Sequence, residues 1–189
     1  MRKRIVHLRG LALVQVPATE APGVLPGKQQ NNFPVLEDAY LDWSDGIITG
    51  FGTMSELARR ESEGYALGDA PEEVLDGTGR WVLPGFVDSH THAVFAAPRE
   101  QEFALRIGGA TYQEIAASGG GILNSARALA AKSKTQLVDE ALPRLEALMR
   151  TGTTALEIKS GYGLSLDSER KMLRVVAELK KHSPLDIRS

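Results

Sequence analysis

The sequence predicts an α/β protein in two parts: a β-rich segment over residues 1–80, and over residues 81–189 the opening strands and helices of a parallel sheet or barrel. Three observations carry this. Up to residue 80, short runs of β-branched and aliphatic residues are separated by Gly, Asp and Pro turn signals. After residue 100, amphipathic helical patterns alternate with short apolar runs. At the join, "LPGFVDSHTH" leads an apolar run through a Pro-Gly step and then sets Asp88, His90 and His92 at alternate positions.

The elements follow in order. "RIVHLRGLALVQV" is aliphatic and β-branched and reads as a strand. "ATEAPGVLPGKQQNNFP" holds three Pro, two Gly and a polar tract, and reads as loop. "AYLDWSDGIITGFG" gives two short strands around Asp45-Gly46, a hairpin signal. "SELARRESEG" suits a helical turn. "VLDGTGRWVLPGFVDSHTH" turns at Asp76 to Gly79 and continues as a long apolar run expected to be buried. "TYQEIAASGGG" is a short helix stopped by glycines. "KTQLVDEALPRLEALMRTG" places Leu137, Ala141, Leu145 and Leu148 on one helical face, with Gly152 to end it. Pro143 lies inside that pattern and predicts a kink, since it lacks an N–H and crowds the preceding turn. "TTALEIKSGYG" is a strand, and "LDSERKMLRVVAELKKHS" a helix with Asp167 as N-cap and Lys180 and Lys181 at the negative end of its dipole. "PLDIRS" begins a further strand. No internal repeat is present.

Composition excludes several classes of function. Of 189 residues, 42% are hydrophobic and 24% charged, an ordinary globular balance. The net charge of -2 offers no broad basic surface to nucleic acid or anionic lipid. There is no cysteine, so no disulfide framework, thiolate metal site or thiol nucleophile exists. The basic start "MRKRIVHLRGLALVQV" is interrupted by Arg9 and Gln15, and no stretch approaches the ~18 apolar residues of a membrane span. A cytoplasmic protein without targeting or membrane segments is expected.

The chemistry-bearing residues gather near the join. Residues two apart on a strand point the same way, so His90 and His92 can converge on one metal ion. Asp88 shares their face and can ligate or orient an imidazole. A bare pair of histidines on a strand edge more often faces solvent, but the end of a buried parallel strand is where such folds place their chemistry. His7 and His182 read as structural or solvated. A catalytic zinc site usually takes three protein ligands and an open position, so either Asp88 is the third or the rest lie outside this chain. Arg99, seven residues after His92, is placed to fork onto a substrate carboxylate or to sit in solvent beside Glu100 and Glu102. Tyr162, in "KSGYG", can lend a hydroxyl to the same pocket, and Tyr112 is a weaker candidate. Glu157 and Lys159 share a strand face and read as a structural pair. "SGGGI" over residues 118–122 lacks the spacing of a phosphate-binding fingerprint.

"LPGFVDSHTH" resembles the strand that opens the barrel in the amidohydrolase superfamily. The blocks "DSHTHAVFAAPREQEF", "GATYQEIAASGGGI" and "EIKSGYGLSLDSERKMLRV", in that order, resemble the imidazolonepropionases within it, over roughly residues 75–189. The resemblance implies the N-terminal part of a (β/α)8 barrel over residues 81–189, and a small β-sandwich built partly from residues 1–80. It implies His90 and His92 as ligands of one divalent ion, zinc or iron, and Arg99 and Tyr162 as contacts to 4-imidazolone-5-propanoate. The reaction implied is hydrolysis of that cyclic amide to N-formimidoyl-L-glutamate in histidine degradation. Partners implied are this small molecule and at most a second copy of the chain, as a homodimer, with no nucleic acid or membrane. Ala93 departs from the larger aliphatic common in the family, and "AAP" replaces a Gly-containing turn before Arg99.

A (β/α)8 barrel takes about 250 residues, and the family continues into a substrate-binding His, a His ligand and an Asp ligand that acts as base. The expectation is therefore an incomplete N-terminal fragment, with no catalytic acid or base of its own, inactive alone. Its cut edges are expected to expose the apolar faces of "VLPGFV", "TTALEI" and the helix face from Leu137 to Leu148. The rival readings are another amidohydrolase, a deaminase or cyclic amidase whose substrate lacks a carboxylate tail, and a non-catalytic binding module.

Overall fold

Strand β1 (Arg2–Ala12) is the centre of the first sheet in the computed structural model, which describes residues 1–12, 35–64, 70–98, 100–117 and 120–189. It is flanked antiparallel by β2 (Val35–Ser44), which pairs antiparallel with β3 (Ile47–Thr53), and parallel by β4 (Glu73–Asp76) and β5 (Trp81–Val82). The β2–β3 hairpin turns on Asp45 and Gly46, at φ 51° and 81°. Two positive φ values in a two-residue loop match the twist of the strands, which is why Asp-Gly reads as a hairpin. The strands are longer than the sequence suggests, and the expected helical turn is the nine-residue helix α1 (Met54–Ser62). A capping box starts it: Thr53 Oγ1 accepts from Glu56 N, and the Glu56 carboxylate accepts from Thr53 N. The Pro/Gly-rich tract from residue 18 to 34 lies outside the described residues.

Leu8, Leu11 and Ala39 form the apolar centre of this unit. Beside it is a buried ion pair. Arg4 is 3% exposed and Asp42 is 0% exposed. The guanidinium forks onto the carboxylate, Nε to Oδ1 at 2.6 Å and Nη2 to Oδ2 at 2.9 Å. Arg60 Nη1 donates to Tyr40 Oη at 2.7 Å. At Gly10 the chain needs the absence of a side chain, because a Cβ would lie 2.3 Å from the Trp81 ring.

The chain divides into two compact units, Met1–Pro84 and Gly85–Ser189. The second holds a parallel sheet in the order β6 (Phe86–Thr91), β7 (Thr153–Ile158), β8 (Asp186–Arg188). Between β6 and β7 run α2 (Glu100–Ile107), α3 (Tyr112–Ala117), α4 (Ile122–Ala131) and α5 (Lys134–Arg150), and α6 (Leu166–His182) connects β7 to β8. Parallel neighbours need such long crossovers. Helices α2 and α4 are absent from the sequence reading. Phe103, Leu105 and Ile107 of α2 are all exposed, so α2 has no buried stripe to recognise.

Helix α5 buries Leu137, Val138, Ala141 and Leu145 and runs as one element through Pro143. Its N-terminus is fixed by a capping box between Ser133 and Gln136. The N-cap of α6 is Ser165, not Asp167: its hydroxyl accepts from Ser168 N, and Asp167 falls in the first turn, where its charge suits the dipole. Leu156 and Ile158 of β7 and Ile187 of β8 share one core with Leu137, Leu145, Met172, Val175 and Leu179. Lys134 Nζ ties α5 to Glu178 of α6 at 2.9 Å.

The burial expectations divide. The apolar run into β6 is exposed, with Phe86 at 61% and Val87 at 72%, as expected of a cut edge and not buried as the run by itself suggested, because among the described strands β6 pairs with β7 alone. Conversely, Leu156, Ile158 and the Leu137 to Leu145 face are buried rather than open, because the strand residues and those of α5 and α6 pack in one core. Among the described residues no helix is long and apolar enough to cross a membrane.

Asp42→Ala removes both bonds of the buried fork, leaves Arg4 with the partly exposed Glu61 at 3.1 Å, and is expected to lower the stability of the first unit by about 1–3 kcal/mol. Both tryptophans, Trp43 and Trp81, lie in that unit, so a urea titration followed by their fluorescence reads it. An unchanged midpoint would show that the pair contributes nothing.

Candidate functional site

The site begins where β6 and β7 end side by side. Thr91, the last residue of β6, accepts a hydrogen bond from Lys159 N at 2.9 Å and donates its hydroxyl to Glu157 O at 2.7 Å. Glu157 and Lys159 thus bring backbone groups to the site, where the sequence reading made them a side-chain pair. The two strands are held level at their C-terminal ends, and the loops that follow them emerge together.

His90 is exposed on β6, and His92, one residue beyond the strand, is half-buried. Their ring centroids are 5.2 Å apart and the planes cross at 79°. The Tyr162 ring lies against His92 on its other side, at 4.9 Å between centroids. His92 Nδ1 is buried and has no hydrogen-bond partner. A buried unpartnered imidazole nitrogen beside a second imidazole fits the donor set of a borderline metal ion. Asp88 does not complete the set: its Oδ1 accepts from His90 N at 3.3 Å. Among the described residues no group of three or more His, Cys, Asp or Glu converges.

His92 and Tyr162 line a cleft of about 300 Å³ with Phe95, Ala97, Pro98 and Ser125. That is the low end of the range for small-molecule sites, and the walls are mainly apolar with a few polar groups. The sequence reading brought His90, His92 and Tyr162 to this place. It missed Phe95, Ala97 and Pro98, which follow the histidines in the same loop, and Ser125, which arrives on the unrecognised α4. Arg99 lies outside the described residues. Tyr112 is 68% exposed on α3, beside a groove formed with Glu102, Phe103, Arg106 and Ile115, and is not part of the cleft. At the end of the glycine run, Gly121 N donates to Glu102 Oε1 at 2.7 Å. His7 belongs to the first unit, and His182 sits at the end of α6 beside Glu178.

The loop after His92 is pinned by cations. Arg144 Nη1 of α5 donates to Ala93 O at 3.0 Å and Phe95 O at 3.1 Å, and its guanidinium carbon stands 3.6 Å from the Phe95 ring centroid. Burial pulls the Arg144 pKa down from its usual value, against the attraction of Glu140. Lys132 Nζ donates to Ala96 O at 3.1 Å and pairs with Glu140. Three carbonyls of this loop, at Ala93, Phe95 and Ala96, that would otherwise need water are thereby held by positive side chains. Nothing in the local sequence signals this, because Arg144 and Lys132 lie 51 and 36 residues away from the carbonyls of Ala93 and Ala96.

No family model matches the chain. Among curated proteins it is similar to the imidazolonepropionase of Flavobacterium johnsoniae, 42% identical over 177 residues, 94% of this chain and 41% of that protein. The imidazolonepropionase of Symbiobacterium thermophilum is 46% identical over 169 residues, 89% of this chain and 39% of that protein. By sequence the chain is a relative of the imidazolonepropionases. It spans about two fifths of the length of these curated relatives. Among solved structures it resembles Escherichia coli guanine deaminase, with a TM-score of 0.62 at 14% identity, over 99% of this chain and 36% of that one. It also resembles a mutant atrazine chlorohydrolase from Arthrobacter aurescens complexed with zinc and atraton, with a TM-score of 0.51 at 17% identity, over 98% of this chain and 34% of that one. The mixed α/β fold is therefore one also found in part of a guanine deaminase and of an atrazine chlorohydrolase.

Arg144→Ala leaves the Ala93 and Phe95 carbonyls without their charged donor and is expected to destabilise the second unit by about 1–3 kcal/mol. Limited proteolysis should then cut between residues 93 and 98. Arg144→Lys should not restore the loop, because an ammonium that reaches both carbonyls has no planar group to lay on the Phe95 ring. Wild-type resistance in Arg144→Lys would show that charge alone is enough.

Proposed function

We propose that the protein to which these residues belong hydrolyses 4-imidazolone-5-propanoate to N-formimidoyl-L-glutamate in histidine degradation. The observation that carries the proposal is identity of 42–46% with imidazolonepropionases over 82–94% of this chain. The cleft beside His90, His92 and Tyr162 supports it, since its size suits one small ring with a short tail. In this reading β6, β7 and β8 with α5 and α6 are the first part of a (β/α)8 barrel, and the sheet of β1 to β5 belongs to a small β-sandwich.

His90 and His92 hold a divalent ion, zinc or iron, since imidazole suits both. The similar atrazine chlorohydrolase complexed with zinc favours zinc as the first ion to test. Two imidazoles fall short of the usual three protein ligands, so further ligands and the general base come from parts of the enzyme beyond these 189 residues. When bound, such an ion activates water and polarises the ring carbonyl. Water adds to the carbonyl carbon, the ring C–N bond breaks, and the departing nitrogen takes a proton. Arg99 grips the propanoate with two parallel hydrogen bonds and fixes the ring's orientation. The Tyr162 hydroxyl contacts the bound substrate, and Phe95, Ala97 and Pro98 give the ring an apolar wall.

The metal assignment predicts about one divalent ion per chain in the intact enzyme, lost for the most part in the His90→Ala, His92→Ala double variant. Elemental analysis of the purified proteins decides it, and full metal content in the double variant removes the two histidines from the site.

Arg99→Ala is expected to lower kcat/KM for the propanoate substrate roughly ten- to a hundred-fold, the loss of a charge-assisted pair, with metal content unchanged. Steady-state kinetics with product measured as N-formimidoyl-L-glutamate tests both this and the reaction. Turnover of a tail-less purine or triazine in place of the imidazolone would overturn the substrate assignment.

A further inference from the structure

Tyr162 sits in a loop whose backbone is gathered around one carboxylate. Glu169, in the first turn of α6, accepts from Gly161 N through Oε2 at 2.7 Å. Its Oε1 accepts from Gly163 N at 2.7 Å and from Leu164 N at 2.9 Å. The donors flank Tyr162 on both sides. The helix does not need this carboxylate for its own start, because Ser165 already caps it. The loop, in contrast, adopts its shape at a conformational cost. Gly161 has φ 126°, and Leu164, a residue with a Cβ, has φ 51°. Gly163 is pressed so close to α6 that a Cβ would lie 2.6 Å from Glu169 N. Burial raises the Glu169 pKa, but hydrogen bonds from Ser160 and from the amides of Leu164, Gly161 and Gly163 outweigh it and leave the group more acidic than usual. It is therefore an anion at neutral pH. Three N–H groups converging on an anion make strong, short hydrogen bonds.

We propose that Glu169 is a positioning residue: it fixes the loop from Gly161 to Leu164, sets the Tyr162 ring against His92, and so aims the Tyr162 hydroxyl into the cleft. Glu169 itself touches neither the cleft nor the histidines. The kinetic consequence rests on the cyclic-amide hydrolase reading above; the structural consequence does not.

Glu169→Gln is the test, in the intact protein. The amide keeps one acceptor oxygen but turns an NH₂ toward N–H donors, so part of the cradle is lost with little change of volume. Amide hydrogen exchange at Gly161, Gly163 and Leu164 should quicken about ten- to a hundred-fold, while Leu156 and Ile158 in β7 keep wild-type rates. Unchanged loop exchange, or equal acceleration in β7, overturns a local positioning role. In the zinc-loaded protein the His92 ring C–H resonance should move toward its position in Tyr162→Ala, and Glu169→Gln should add nothing to Tyr162→Ala. Additive shifts would mean that Glu169 acts on His92 by another route. For turnover of 4-imidazolone-5-propanoate, Glu169→Gln and Tyr162→Phe should each lower kcat/KM, with the double variant no worse than the poorer single one. Loop and resonance changes without any kinetic loss overturn the positioning of Tyr162 for catalysis. Absence of turnover in the wild type defeats the hydrolase reading and leaves the exchange and resonance tests to decide the role of Glu169.

Discussion

The pairing of Thr91 with β7 is the contact on which the second unit's site depends. Parallel strands bring nothing together by themselves; what matters is which residues stand level at their C-terminal ends. Thr91 uses both its carbonyl and its hydroxyl on β7, at Lys159 N and Glu157 O. The strand register is irregular between Asp88 and Thr91, so this double tie re-establishes the pairing just before the chain leaves the sheet. His92 then departs next to the segment that carries Tyr162, and their rings meet at 4.9 Å. A one-residue slip would turn the histidines to the other face.

Beyond the strands, the two loops are held by opposite charges acting on opposite backbone groups. The loop after β6 presents carbonyls, and cations take them: Arg144 at Ala93 and Phe95, Lys132 at Ala96. The loop after β7 presents N–H groups, and an anion takes them: Glu169 at Gly161, Gly163 and Leu164. All these side chains come from the helical layer, α5 with its N-terminal approach or α6, whose apolar faces pack on β7 in one core. Packing of that layer thus reaches the site through charge-assisted hydrogen bonds. A site on loops gains the definition of one on rigid elements this way.

The legible part of the sequence is the part governed by short-range pattern. Asp45-Gly46 specifies its turn because two positive φ values are needed there. The Leu137, Ala141, Leu145 stripe specifies α5 because a 3.6-residue period needs a buried face, and that demand carried the helix through Pro143. His90 and His92 were legible as a pair because strand alternation is local. Cap assignment failed by two residues at α6, where Ser165 and Asp167 are both good cap residues and only the backbone conformation separates them. Burial of "GFV" failed because an apolar run tells that a face is suited to cover, not that cover is present. Arg144 and Glu169 were illegible for a different reason. Each is an ordinary helix-surface charge in sequence, and each acquires its role from a carbonyl or amide brought near by tertiary packing.

The contrast between the two histidines is the last step. His90 lies in solvent, where an imidazole satisfies itself with water and implies nothing. His92 differs: its Nδ1 is enclosed, it has no hydrogen-bond partner, and an aromatic ring lies against it. Leaving a buried polar nitrogen unpaired costs about 1–3 kcal/mol, and an apolar residue of similar volume would avoid that cost. The buried apolar packing at this point is made by Ala93 and Val94, the next two residues. The chain tolerates an imidazole at 92 and builds Tyr162, Phe95 and Pro98 around it. That arrangement makes sense where the imidazole is read by something that enters the cleft, and a nitrogen donor beside His90 is the chemistry a metal ion would read.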